Sequence, residues 1–337
     1  MSHTTILAGT PILKIGHGLM HMTALLGPSS NQEGFEAIKA GIEAAPPGVK
    51  VFLNSAEFYG PSEDRTANLT LLNNFFTKYP EYAERTVLSV KGALSIGSAG
   101  FEVDASEAGI ERSIKNIAEK LGPNKKIDVF ECARVDPNVP VEITMKALNK
   151  QVESGNIGAI GISECSAATL ERAIKVAKIA AVEIEVSPWS YEEETQKVIA
   201  KAAEIGAVVA AYSPLGSGFL TGKVKLENLK PGDFRRGYPR FTGEAAKDNE
   251  KVVEALTKIA ERKDITPAQL CLAWVSSLGP HVVPIPGSSR APRTLENMAA
   301  ALVTLDEQDK ADIEHVLNLN PISGTRYPEY GMGLTWG

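Results

Sequence analysis

Residues 159–213, AIGISECSAATLERAIKVAKIAAVEIEVSPWSYEEETQKVIAKAAEIGAVVAAYS, hold three short apolar runs: AIGISE (159–164), AAVEIEVS (180–187) and AVVAAYS (207–213). Between them lie helix-length segments with apolar residues at three- and four-residue spacing. Runs this short and this continuously apolar read as strands buried on both faces, the condition of parallel strands covered by helices. The rhythm continues outward, with strand-like runs at HGLM (17–20), VFLNS (51–55), TVLSVKG (86–92), KIDVFECA (126–133) and VVPIP (282–286). Helices fit between them, as at 107–122, stopped by Gly122-Pro123, and at 143–155, ending on Gly155. Eight β-then-α units with no clear hairpin among them predict an α/β fold, a closed (β/α)8 TIM barrel. The rival, an open doubly wound sheet, usually carries a GxGxxG fingerprint after its first strand. HGLMHMTALLG stands there instead.

Three segments fall outside the repeat. TILAGTPILKI (5–15) reads as a separate hairpin turning near Gly9-Thr10-Pro11, placed to plug the bottom of the barrel. From Ser213 to about Thr266 a long connection follows strand seven and includes helix-like residues 247–263. Long βα loops on a barrel are usually functional. The tail PISGTRYPEYGMGLTWG (321–337) is too irregular for a terminal helix and could drape over the barrel mouth. With no linker, low-complexity tract or further repeat, residues 1–337 are expected to form a single domain.

The chain has 337 residues, 43% hydrophobic and 23% charged, which is enough to bury a large core and argues against disorder. Its net charge of -6, with the signs interspersed, argues against general nucleic-acid binding and leaves room for a local basic pocket. Cys132, Cys165 and Cys271 form neither a disulfide frame nor a zinc spacing, and no metal site is expected. No run approaches a membrane span or a leader peptide. The expectation is a soluble protein of the cytoplasm, or of cytoplasm and nucleus, with a small-molecule partner and no obligate protein partner.

In a barrel of this kind the active site lies at the carboxyl ends of the strands. There, VFLNSAEFYG (51–60) places Tyr59 just past strand two, and SVK (89–91) places Lys91 at the end of the neighbouring strand. An ammonium beside a phenol stabilises the phenolate, so Tyr59 tuned by Lys91 could protonate a developing alkoxide. Lys91 could otherwise act as the Schiff-base nucleophile of an aldolase-type enzyme.

Read with IDVFECARVDP, IGISECS, AYSPLGSGFLTGK and PGSSRAPRTLENM, these motifs resemble the aldo-keto reductase family over nearly the whole chain. Within it the sequence is most similar to the fungal pyridoxal reductases, which share FLNSAEFYG-like and IDVFECARVDPNVP segments. The resemblance implies NADPH-dependent reduction of an aldehyde, pyridoxal to pyridoxine. Of the family's catalytic aspartate, tyrosine, lysine and histidine, Tyr59 and Lys91 match. Asn54 stands at the aspartate position, and Ala133, followed by Arg134 and Asp136, at the histidine position. Asn54 can accept a hydrogen bond from Lys91 but cannot neutralise it, so Lys91 is expected to act more strongly on Tyr59. Ala133 is expected to open space for a ring-bearing aldehyde.

For the cofactor, the resemblance implies that Tyr212 stacks on the nicotinamide and that Ser213, Leu215 and Ser217 line the pyrophosphate. Ser288, Arg290 and Arg293 would hold a 2′-phosphate at a helix start, with Glu296 and Asn297 on the adenine. Ser163, Glu164 and Glu183 match positions around the nicotinamide carboxamide. A glutamine is commoner at position 183, and Glu183 could instead be a buried, paired carboxylate. His21 and Arg134 are candidates for the substrate pocket, and Trp189 and Trp336 for its walls. Asn54 and Ala133 leave a second class open, a regulatory protein that binds NADPH without turnover.

Overall fold

The computed structural model describes residues 3–24, 30–97 and 100–337. Eight parallel strands form one curled sheet: β1 His17–Gly18, β2 Val51–Ala56, β3 Thr86–Gly92, β4 Val129–Cys132, β5 Ala159–Ser163, β6 Ile179–Glu185, β7 Val208–Tyr212 and β8 Val282–Pro284. Each pairs with the next in the chain. The sheet closes where Gly16 N–H donates to Pro284 O (2.9 Å) and Gly18 N–H to Pro286 O (3.1 Å). A side chain at Gly18 would put Cβ 2.8 Å from Ile285 O, so the seam needs glycine there. This is the (β/α)8 barrel expected of the rhythm.

The apolar residues divide into two layers. One lies between strands and the outer helices, among them α1 Asn31–Glu43, α2 Ala67–Lys78, α3 Glu107–Leu121, α4 Val141–Glu153, α5 Ala167–Ala173 and α6 Glu193–Ile205. The other fills the barrel itself with Phe52, Val87, Val129, Ala181, Val208 and Val283. Leu7 and Ile12, from the antiparallel hairpin Thr4–Leu7/Thr10–Leu13, join this inner layer, so the hairpin does plug the bottom. Ala8 (φ 48°) and Gly9 (φ 80°) turn it, the paired positive φ of a two-residue hairpin loop.

Two details differ from the sequence reading. The first strand stops at Gly18, and Met20–Met22 form a 3-10 turn, because His21 and its neighbours belong to the mouth of the barrel. A second hairpin, Leu94–Gly97 with Gly100–Val103, follows β3; its four-residue arms are too short to give a period-two signal. The long connection holds a chain of 3-10 turns before α7 (Gly243–Arg262) and α8 (Pro267–Ser277). After α9 (Ala291–Ala299) and α10 (Glu307–Leu319), the tail has only one helical turn, α11 (Glu329–Met332), and lies across the mouth. Ser166 N–H donates to Gly337 O, and Gly337 N–H to Glu164 O. Among the described residues no helix is long and apolar enough to cross a membrane.

Candidate active site

Strand side chains alternate inward and outward, so the inner face of each strand passes from the apolar plug to polar residues near its carboxyl end. Asn54, Ser89, Lys91, Glu131, Ser163 and Glu183 form this buried polar layer. Above it opens a cavity of about 1060 Å³, beyond the roughly 300–1,000 Å³ usual for small-molecule pockets. Tyr59, three residues past β2, stands half-buried in its wall. Thr23 Oγ1 and Asn68 N–H both donate to its carbonyl oxygen, which fixes the backbone that carries the phenol.

Lys91 Nζ lies 5.1 Å from the centre of the Tyr59 ring. It donates to Asn54 Oδ1 (2.7 Å) and pairs with Glu183 Oε1 (2.9 Å) and Oε2 (3.1 Å). Asn54 Nδ2 in turn donates to Glu183 Oε2 (2.6 Å), so both ends of the amide are fixed. The carboxylate missing at position 54 thus reaches Lys91 from β6. Burial alone would lower Lys91, but the Glu183 carboxylate bonded to it more than offsets this and holds the ammonium above its ordinary range.

That geometry corrects the expectation that Lys91 acts more strongly on Tyr59. Burial raises the phenol above its ordinary range, Lys91 pulls against the rise, and Glu183 adds to it. It also shows Glu183 as a paired carboxylate, with both oxygens committed to Lys91 and Asn54.

Glu131 was not singled out by sequence. It is fully buried opposite Lys91 in the β3–β4 register, and Ser89 Oγ donates to its Oε1. A Cβ at Gly161 would lie 2.4 Å from Glu131 Cγ, so the glycine of β5 makes the room this side chain occupies. Burial first and then the Glu183 carboxylate push Glu131 up to about 8. Near neutrality that rise favours the protonated carboxyl, and Glu183 is the carboxylate bonded to Lys91.

Two further predicted positions change role. Glu164 is fully buried and does not reach the cavity: Arg326 of the tail pairs with it (2.9 Å), and Tyr212 OH donates to it (2.7 Å). Ala133 is also fully enclosed, its N–H bonded to Gly92 O, so it opens no space; Arg134 is the residue of this segment at the cavity wall. His21 does line the cavity, but its charged neighbours are Arg235, Arg293 and Asp233, away from Lys91. Trp189 forms part of the wall beside Phe219 and Phe241, whereas Trp336 lies under the Arg326 guanidinium (4.8 Å).

The remaining positions trace the rest of the cavity. Tyr212, Ser213, Leu215 and Ser217 line it, with Ser213, Ser217 and Gly218 at positive φ. Arg235 braces this loop by donating to Ser217 O (2.9 Å). Ser288, Arg290, Arg293, Glu296 and Asn297 line the end at the start of α9, which has no side-chain cap on its first N–H groups. Ser288 Oγ is already bonded to His17 Nε2 and Thr294 Oγ1. His17, which burial holds down at about 4, is accordingly a neutral packing residue. Arg290 and Arg293 are exposed, with no carboxylate within 4 Å among the described residues. The buried Ser163 Oγ and Asn297 Nδ2 have no hydrogen-bond partner among the described residues. The orphaned Asn297 amide, the two arginines and the uncapped helix start fit a phosphorylated dinucleotide at this end of the cavity. Cys132, Cys165 and Cys271 are buried, and burial raises all three thiols, which makes them inert.

Comparison with known proteins agrees with this arrangement. The sequence profile of the Aldo/keto reductase family matches residues 14–318. The chain is 33% identical over 330 residues to "Probable pyridoxal reductase 2" of Schizosaccharomyces pombe, covering 96% of both chains. It is 35% identical over 326 residues to "Aldo-keto reductase yakc [NADP(+)]" of the same organism, covering 93% of this chain and 91% of that one. The solved glycerol dehydrogenase AKR11B4 of Gluconobacter oxydans superposes with a TM-score of 0.82 at 19% identity, covering 96% of this chain and 97% of that one, a likeness of fold. With the barrel, the polar layer and these matches together, the chain belongs to the aldo/keto reductase family.

Proposed function

We propose that this protein reduces an aldehyde to the primary alcohol with NADPH, pyridoxal being the first substrate to test. The observation that carries the reading is the Tyr59–Lys91–Glu183 chain at the cavity floor, a proton donor beside a cation whose counter-ion is buried with it. A pyridoxal substrate is supported by the name of one relative at 33% identity. NADPH is supported by the name of another and by Arg290 and Arg293.

When bound, NADPH would be the source of the hydride for the carbonyl carbon. Tyr59 hydrogen-bonds the carbonyl oxygen and gives it the phenolic proton as charge develops there. Lys91 stabilises the phenolate left behind. Glu183 and Asn54 hold Lys91 in place and in its charged form. Asn297 would bind the adenine end and Ser163 the carboxamide end, while Arg290 and Arg293 would hold the 2′-phosphate. An ammonium held this firmly in its protonated form is a poor Schiff-base nucleophile, which disfavours the aldolase reading. A carboxylate for Lys91 also weakens the case for a binder without turnover.

The test is NADPH oxidation with pyridoxal and with benzaldehyde, for wild type and Tyr59→Phe. Pyridoxal turnover lost in the variant supports the whole reading. Turnover of benzaldehyde alone keeps the reductase and removes pyridoxal, and tight NADPH binding with turnover of neither overturns both.

A further inference from the structure

Lys91, Arg134, Arg240 and Arg326 are four buried or half-buried cationic side chains that line the cavity. Three have carboxylates. Lys91 has Glu183 at 2.9 Å, and Arg326 has Glu164 at 2.9 Å and Glu185 at 3.7 Å. Arg240 has Glu185 at 3.8 Å and Glu192 at 3.6 Å. Arg134 has none within 4 Å among the described residues, and its Nη1 donates to the carbonyl of the adjacent Ala133 (2.6 Å). Tyr212 and Tyr327, and after them Glu164 and Glu183, favour its charged form, but the two carboxylates are each bonded to another cation.

An arginine half-buried at a cavity wall pays for lost hydration without the return of an ion pair. Its planar fork suits a carboxylate or a phenolate oxygen. Its field reaches the phenol, since Arg134 is among the charges that pull Tyr59 down. Phe58, Leu94, Trp189 and Tyr327 are among the side chains that line the same cavity and give it apolar and aromatic surface.

We infer that Arg134 binds an anionic substituent of the substrate, so that the site takes a planar aldehyde bearing a carboxylate or phenolate rather than a neutral one. The inference rests on the reductase reading and adds a charge requirement to it. Asn54, Lys91 and Tyr59 set the chemistry, and Arg134 sets which aldehyde lies against it.

The test compares meta- and para-formylbenzoate with their neutral amides, in wild type, Arg134→Met and Arg134→Gln. The expected result is a wild-type kcat/KM at least about tenfold higher for one acid than for its amide, with that ratio falling to near one in both variants. Equal ratios in wild type, or a preference that survives either substitution, overturn the inference while leaving the reductase intact. Should the wild type reduce none of them, the reductase reading fails for these aldehydes and binding decides the charge question. The hydroxymethylbenzoates and their amides are then titrated against tryptophan fluorescence of NADP+-loaded protein. Tighter binding of an acid that is lost in both variants supports Arg134 as the anion site, and equal binding overturns it.

Discussion

Lys91 Nζ and Glu183 Oε1 lie 2.9 Å apart in the closed interior of the barrel, both nearly inaccessible, and Asn54 bonds to each of them. The negative charge that the family pattern places on β2 comes here from β6. Removing one partner of a buried pair leaves the other uncompensated, at a cost of about 3–5 kcal/mol. Glu183→Gln is therefore expected to lower unfolding stability by about that amount, measured by urea denaturation. It should also reduce kcat more than it raises KM, since Lys91 acts on the transition state.

The Glu131 carboxyl predicts an unusual pH dependence of stability. Its folded value of about 8 lies above the ordinary 4.5, so the folded chain binds more protons than the unfolded chain between those values. This contribution is fully present below about pH 4.5 and is lost as pH rises through about 8, with a limiting slope of about 1.4 kcal/mol per pH unit. Glu131→Gln removes it. Urea unfolding of the variant at about pH 5 and about pH 8 should show a smaller loss than in wild type.

Tyr59 is held above its ordinary range, so the proton donor stays loaded at neutral and mildly alkaline pH. The kcat for reduction should then be flat from about pH 6 to about pH 9, and a fall assigned to Tyr59 within that window would contradict the raised value. The reverse oxidation, which needs the phenolate, should climb with pH over the same interval.

Arg290 and Arg293 are exposed at the start of α9, with no carboxylate within 4 Å among the described residues. Arg290→Ala and Arg293→Ala should each weaken NADPH binding by about tenfold, leave NADH binding nearly unchanged and alter the melting temperature little. Titration of the two nucleotides measures this directly.

Arg326 fastens the tail to the barrel through Glu164 and Glu185. Arg326→Met would leave the buried Glu164 without a cation while Glu185 keeps Arg240, costing about 3–5 kcal/mol, and should expose residues after 321 to proteolysis. Intact tail under limited proteolysis would contradict this.

Much of the barrel was legible because its strands are buried on both faces and read as unbroken apolar runs, with Gly122 and Gly155 punctuating the helices. The hairpin at 94–103 was not, since arms of four residues give no period. At the site, Tyr59 and Lys91 were visible because neighbouring strands bring them together. Glu183 was visible as an alternative, but its pairing with Asn54 and Lys91 spans separations of 129 and 92 residues that no local pattern encodes. Arg326 and Glu164, 162 residues apart, were hidden for the same reason. Glu131 was overlooked inside a strand read as core, where only the glycine on the adjacent strand hints at its space.

The most direct measurement is the charge exchange itself: kcat for aldehyde reduction in wild type, Asn54→Asp, Glu183→Gln and the double variant. If Lys91 needs one buried carboxylate and either strand can provide it, the double variant recovers a large part of the activity that Glu183→Gln loses. Asn54→Asp alone gains nothing, because two carboxylates then crowd one ammonium. A double variant as inactive as Glu183→Gln, or a Glu183→Gln variant as active as wild type, would contradict the account.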